Sequence, residues 1–246
     1  MKNFLYSLFI GLFGIAGLTS VAFLLMYAAQ SKQQAHLYSN LAAVRAQDVQ
    51  QKIASQSSVQ PTSRNLYLEN ADMVGWILIE DTNIDYPVMQ TPADPNYYLK
   101  HDFEKHYTDY GCPFMQANCD ALAPSDNLII YGHNINGGKM FGALEQYKDK
   151  EFFYKHRKIY FTTDKKREYE VFAVMSVNIH EFEYWKFVMA RDEKEYDEFV
   201  DKVEEHSLWR QGNKPKYGEQ MLMLSTCDNG KGDDWRIVLI AKCVYS

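Results

Sequence analysis

The chain has 246 residues and a formal net charge of −6. Once an apolar N-terminal stretch is set aside, that length supports one substantial domain or two small ones. The acidic balance leaves no global basic field to hold nucleic acid and no polybasic patch for a membrane surface. Eighteen tyrosines and a 15% aromatic share favour β-rich packing over a helical bundle.

Phe4 to Ala29 carries no charge and is apolar on every side. It exceeds the roughly 20 residues a spanning helix needs. A cleaved signal peptide is the competing reading, but its apolar core usually runs only about 7–15 residues. The expectation is therefore one uncleaved transmembrane helix over residues 1–30. The short tail before it places the large domain outside the cytoplasm, as the extracellular part of a single-pass protein of the cell membrane.

Residues 31–70 read as a helical stalk and linker. AHLYSNLAAVRAQDVQQKIA carries Leu37, Leu41, Val44 and Val49 on an amphipathic pattern. QSSVQPTSRN reads as a linker in which Pro61 breaks any helix, and a helical turn follows near Leu66 to Asn70.

From residue 71 to 246 the character changes. VGWILIE, DTNIDYPVMQ, NLIIYGH, KIYFTT, YEVFAVMSV, QMLMLSTC and WRIVLIAKCVY are short runs rich in Ile, Val, Tyr and Phe, and read as strands. MFGALEQYKDKEFFYKH suggests one or two short helices. A long helix is expected over about 192–210, with Tyr196, Phe199, Val200 and Val203 as its apolar stripe and Gly212 as a stop signal. Short strands with inserted helices argue for a mostly-β barrel with helical additions.

The four cysteines, Cys112, Cys119, Cys227 and Cys243, form no C-x-x-C pair. Cys112 and Cys119 read as free, partly buried thiols, with a loop disulfide as the alternative. Cys227 differs, because it ends an apolar strand just before the polar loop DNGKGDD. Arg236, in the following strand, is costly to bury unless it is paired or faces a cleft. If the two strands are neighbours, Arg236 lies near Cys227, where a cation favours the thiolate and donates to a developing oxyanion. A salt bridge to Asp233 or Asp234 is the bland alternative. His133 follows NLIIYG at the mouth of NINGG and can exchange a proton with a thiol. His180, in a loop, is its one serious rival.

LSTC, a polar loop, RIVL and an upstream YGHN together resemble the signature of sortases, the cysteine transpeptidases of Gram-positive cell surfaces. The similarity extends from about Gly75 to the C-terminus through GWILIEDTNIDYPVMQ and YYLKHDF. The long helix between late strands is similar to the class B branch. The resemblance implies a closed eight-stranded β-barrel with N-terminal helices and that long helix, preceded by the anchor.

It implies Cys227 as nucleophile, His133 as general acid/base and Arg236 as oxyanion stabiliser, with no metal or cofactor. The reaction implied is cleavage of an LPxTG- or NPxTG-like sorting signal near the C-terminus of a secreted protein, through a thioacyl-enzyme. An amine of a peptidoglycan precursor then takes the acyl group; a pilin amine, in a pilus-assembling enzyme, is the alternative. A membrane-tethered binding module on an inactive barrel is the alternative of another class. By the same comparison, Ser225, Thr226, Tyr131, Leu99, Tyr184 and Trp185 are implied substrate contacts. Class B relatives often carry Asn where this chain has Pro95, which Asn96 follows, so the resemblance carries no contact onto Asn96. The loop DNGKGDD lacks an EF-hand ligand pattern and is read as a solvated turn.

Overall fold

The computed structural model describes residues 2–55, 63–123 and 125–245. Helix α1 (Lys2–Ser55) runs unbroken through the anchor and stalk expected as separate segments. It is the one helix among the described residues long and apolar enough to cross a membrane, by length and composition. Phe9, Leu12, Phe13, Leu18, Phe23 and Leu25 are all exposed along it, the side-chain placement a lipid-facing helix requires. The linker expected near Pro61 lies largely within residues 56–62, outside the described residues. Helix α2 (Ser63–Glu69) contains most of the expected helical turn.

The remaining chain contributes β1 (Met73–Leu78), β2 (Asp85–Met89), β3 (Phe114–Met115) and β4 (Asn127–Tyr131). A small hairpin of β5 (Asn134–Ile135) and β6 (Lys139–Met140) follows. Next come a 3-10 stretch, Phe141–Lys148, and helix α3 (Lys150–Lys155). The chain continues through β7 (Lys158–Thr162), β8 (Lys166–Asn178) and helix α4 (Glu193–Glu205). It ends with β9 (Ser207–Arg210), β10 (Met221–Cys227) and β11 (Trp235–Tyr245).

The main sheet runs in the order β11-β10-β4-β3-β2-β1-β7-β8-β9, and β8 pairs back to β11. Eight strands thus close into a barrel, with β9 as a flap on β8. Strand length makes both possible. One edge of β8 pairs β7 over Lys166–Glu170 and β9 over Ala173–Met175, while its other edge pairs β11 from Tyr245↔Glu168 to Trp235↔Asn178. Closure leaves those strands no open edge to attract other chains.

The core explains the unalternating sequence of the central strands. Leu128, Ile129, Ile130 and Met221 to Leu224 are fully buried. The 3-10 stretch packs on β10 and β11, and α4 packs on β8 and β9. Strands covered on both faces read as continuous apolar runs.

The long late helix is shorter than expected. Its N-cap is Asp192, whose carboxylate accepts from Glu195 N, and it ends at His206. Ser207–Arg210, expected as its last turn, pairs instead with β8 as β9. Gly212 (φ 67°) ends that strand, not the helix. The spare edge of β8 outcompetes local helix preference here, a tertiary choice with no local signal.

Candidate active site

Two pairings bring the site together. β4 and β10 are parallel, with Ser225 opposite Tyr131, so both strands leave the barrel at the same rim. The chain after β4 carries His133, and β10 ends on Cys227. β10 then turns back into antiparallel β11, and Cys227↔Arg236 is the last pair of their register. Directly opposed residues on antiparallel strands point to the same face, with Cβ atoms about 4.5–5.5 Å apart. The loop is closed by Asp228 N donating to Trp235 O at 2.9 Å.

Cys227, His133 and Arg236 line one cleft of about 520 Å³. Leu99, Tyr131, Ser225 and Thr226 line it too. Its apolar wall is completed by Pro95, Phe114 and Ala117, with Asn96 and Gln116 between them.

His133 and Arg236 are each held from behind. His133 Nε2 lies 2.7 Å from the Leu99 carbonyl. A carbonyl oxygen only accepts, so Nε2 carries the proton and Nδ1 is the nitrogen left for chemistry. The adjacent Tyr98 is held by its hydroxyl, which accepts from Asn70 Nδ2 at 2.8 Å and donates to Asp72 Oδ2 at 2.8 Å. Gly111 sits beneath. At φ +60° it passes so close that a Cβ there would lie 2.5 Å from Tyr98 O, 2.9 Å from Leu99 O and 3.2 Å from His133 Cδ2. Gly132 is equally constrained, since a Cβ would lie 2.7 Å from the Phe141 ring.

The Arg236 guanidinium donates from Nη1 to Asp233 O at 2.5 Å and to Trp235 O at 2.9 Å. Among the described residues it makes no ion pair with a carboxylate, so the expected alternative with Asp233 or Asp234 is not formed through their side chains. Its guanidinium is therefore held by backbone carbonyls and not by a carboxylate within ion-pair distance. His180, the rival histidine, lies 3.7 Å from Asp234 Oδ1 on the surface and does not line the cleft.

The groove floor differs from expectation at two positions. Tyr184 and Trp185, in a 3-10 turn spanning Tyr184–Lys186, are not among the lining residues. Tyr184 is buried behind the floor with its hydroxyl 2.6 Å from Ser225 Oγ. Burial pushes that hydroxyl up to about 12. Trp185 contributes its backbone, its carbonyl accepting from Gln116 Nε2 at 3.0 Å. The turn faces inward because its aromatic ring packs in the core, leaving the floor to smaller residues.

Gln116 carried no signal in the sequence. Its Oε1 accepts from the Tyr131 hydroxyl in a short bond, and burial raises the Tyr131 pKa, so that hydroxyl stays protonated.

The loop after Cys227 is not a simple solvated turn. Asp228 is fully buried; its Oδ1 pairs with Lys148 Nζ at 2.5 Å and its Oδ2 accepts from Ser176 Oγ at 2.6 Å. Burial works to raise its pKa, but Lys148 and Ser176 outweigh it and hold the carboxyl below the usual range. Only the residues from Asn229 to Asp234 are exposed as expected. Cys112 and Cys119 are buried thiols, and burial pushes the Cys119 thiol up to about 11.

Residues 77–244 match the family model described as Sortase domain. The chain is 32% identical over 188 residues to sortase B of Listeria monocytogenes, covering 76% of this chain and 75% of that protein. It superposes on a Staphylococcus aureus sortase B–substrate complex with a TM-score of 0.78 at 27% identity, covering 88% of this chain and 98% of that one. Sortase B of B. anthracis in complex with AAEK1 gives a TM-score of 0.69 at 34% identity, over 77% of this chain and 87% of that one. With a family match over most of the barrel and relatives of one branch in sequence and structure alike, the chain belongs to the sortase family, in its class B branch.

Proposed function

We propose that this chain is a membrane-anchored class B sortase that cleaves a C-terminal sorting signal at Cys227 and transfers the acyl group to a cell-wall amine. The observation that carries this reading is the meeting of Cys227, His133 and Arg236 in one cleft. The Staphylococcus aureus relative in complex with substrate supports a peptide as the occupant.

The steps follow from the geometry. His133 takes the Cys227 thiol proton on Nδ1, the thiolate attacks the scissile carbonyl carbon, and the carbonyl π electrons move onto oxygen. Arg236, held by two backbone carbonyls, stabilises that oxyanion. Collapse of the adduct breaks the C–N bond, and His133 delivers a proton from Nδ1 to the departing amine. A thioacyl-enzyme remains. The acceptor amine attacks it, gives its proton back to His133 and releases Cys227. Leu99, Tyr131, Ser225 and Thr226 line the path of the peptide. In this reading residues 1–30 anchor the protein, 31–70 are the stalk, linker and N-terminal helices, and 71–246 form an extracellular catalytic domain.

The full chain in detergent, given LPxTG-like and NPxTG-like peptides with and without an amine acceptor, tests this. Cleavage is expected, with an amide product when amine is present. Cys227→Ala is expected to abolish turnover, and Arg236→Ala to lower kcat by about 10²–10³ as for loss of an oxyanion donor. Absence of turnover by the wild type, or turnover that survives Cys227→Ala, overturns the assignment.

A further inference from the structure

The two loops that carry His133 and Cys227 are tied to each other by groups that do not line the cleft. Asn134 Nδ2 donates to the Cys227 carbonyl at 2.8 Å and to Glu145 Oε1 at 2.7 Å. Its own carbonyl accepts from Asn229 Nδ2 at 3.2 Å. Behind Asn134, Glu145 Oε2 pairs with Lys148 Nζ at 2.7 Å, and the same ammonium pairs with Asp228 Oδ1 at 2.5 Å. Asp228 in turn accepts from Ser176 on β8. Glu145 and Lys148 both lie on the 3-10 stretch Phe141–Lys148, whose first residue donates from N to His133 O at 2.9 Å.

One rigid stretch therefore holds the histidine loop by its backbone and the cysteine loop by its charges. Charge-assisted hydrogen bonds are roughly twice as strong as neutral ones. Breaking a buried ion pair at one partner leaves the other charge uncompensated. The chain of contacts thus has few low-energy alternatives. Asp228, although it follows the nucleophile directly, turns its carboxylate to Lys148 and Ser176, while His133 Nε2 bonds to Leu99.

We propose that Asn134, backed by Glu145, Lys148, Asp228 and Ser176, is a positioning bracket that sets the Cys227 backbone against the His133 loop. None of the five is a catalytic residue; each acts through the placement of the nucleophile. The proposal rests on the sortase reading above. A misplacement near 1 Å costs about 10²-fold in rate, so loss of the bracket acts on kcat more than on binding.

The test uses the full chain in detergent, with Asn134→Leu, Lys148→Met and Lys148→Arg. Peptide turnover is measured per Cys227 thiol titrated, and alkylation of Cys227 by iodoacetamide is followed without peptide by mass spectrometry. Site resolution is needed because Cys243 is also half-exposed. Asn134→Leu and Lys148→Met are expected to lower kcat by about tenfold or more, with KM within about twofold. Their Cys227 alkylation should slow as well, and Lys148→Arg, which keeps the cation, should restore most of both.

A purely structural role would reduce the titratable fraction and the melting temperature but leave kcat per thiol unchanged, which overturns the bracket. If the wild type turns over no peptide, the sortase reading fails separately. The bracket is then decided by alkylation alone, and unchanged Cys227 rates in both disruptive variants refute it.

Discussion

Gly111→Ala isolates the support beneath His133. The new methyl would lie 2.5 Å from Tyr98 O and 2.9 Å from Leu99 O, both backbone atoms that cannot rotate away. It would also press on His133 Cδ2 at 3.2 Å. An alanine at φ +60° adds about 1–2 kcal/mol of left-handed strain. Overpacking adds about 1–3 kcal/mol. The sum, about 2–5 kcal/mol, corresponds to a fall in melting temperature of roughly 4–20 °C for a domain of this size.

The effect on rate has a separate origin. Displacing the Leu99 carbonyl loosens the bond that fixes the imidazole tautomer. A shift approaching 1 Å lowers kcat by up to about 10²-fold, and a partial shift by about tenfold. Gly212→Ala is the control, because Gly212 has φ +67° but nothing within 4 Å of its added Cβ. It carries the backbone strain without the clash and lies outside the cleft lining. Peptide turnover and thermal melting of both variants give the answer. If Gly111→Ala loses no more kcat than Gly212→Ala, the Leu99 carbonyl is not what orients His133.

Tyr184→Phe removes the partner of Ser225 Oγ, a buried group. The expected cost is about 1–3 kcal/mol in stability, read as a lower urea midpoint at unchanged m-value, with kcat retained. A matching loss of kcat would place Tyr184 in the chemistry. Asp228→Asn tests the buried ion pair by pH. The folded pKa of Asp228 lies below its unfolded value of 3.8, so its stabilisation is complete above 3.8 and is lost as pH falls through the folded value. The difference in melting temperature between wild type and variant should be full at neutral pH and shrink in strong acid. A difference that stays constant down to about pH 2 would show that the charge of Asp228 contributes nothing.

Much of the site was legible before any coordinates. A cysteine at the end of an apolar run, an arginine isolated in the next strand and a histidine after a Gly each conflict with simple burial, and such conflicts mark chemistry. Tyr131, Leu99, Ser225 and Thr226 followed from the family resemblance, and all line the cleft. Tyr184 and Trp185 were implied by the same resemblance but do not line the cleft, because whether an aromatic in a short turn faces a groove or the core depends on neighbours distant in sequence. Gln116 and the bracket residues left no local trace for the same reason. Lys148 and Asp228 look like ordinary surface charges until the chain brings them within 2.5 Å.

By itself the sequence determined the apolar N-terminal helix, the main strands and the three candidate side chains that share the cleft, Cys227, His133 and Arg236. These rest on local composition, periodicity and side-chain chemistry, which adjacent residues fix. The tertiary structure alone decided that β8 is long enough to close the barrel and accept β9, and that parallel β4 and β10 end at one rim. It also decided that Leu99 O holds His133, and that Asp228 faces inward to a lysine. Those outcomes depend on pairings between residues far apart in the chain, where the gain from burial and hydrogen bonding outweighs local preference.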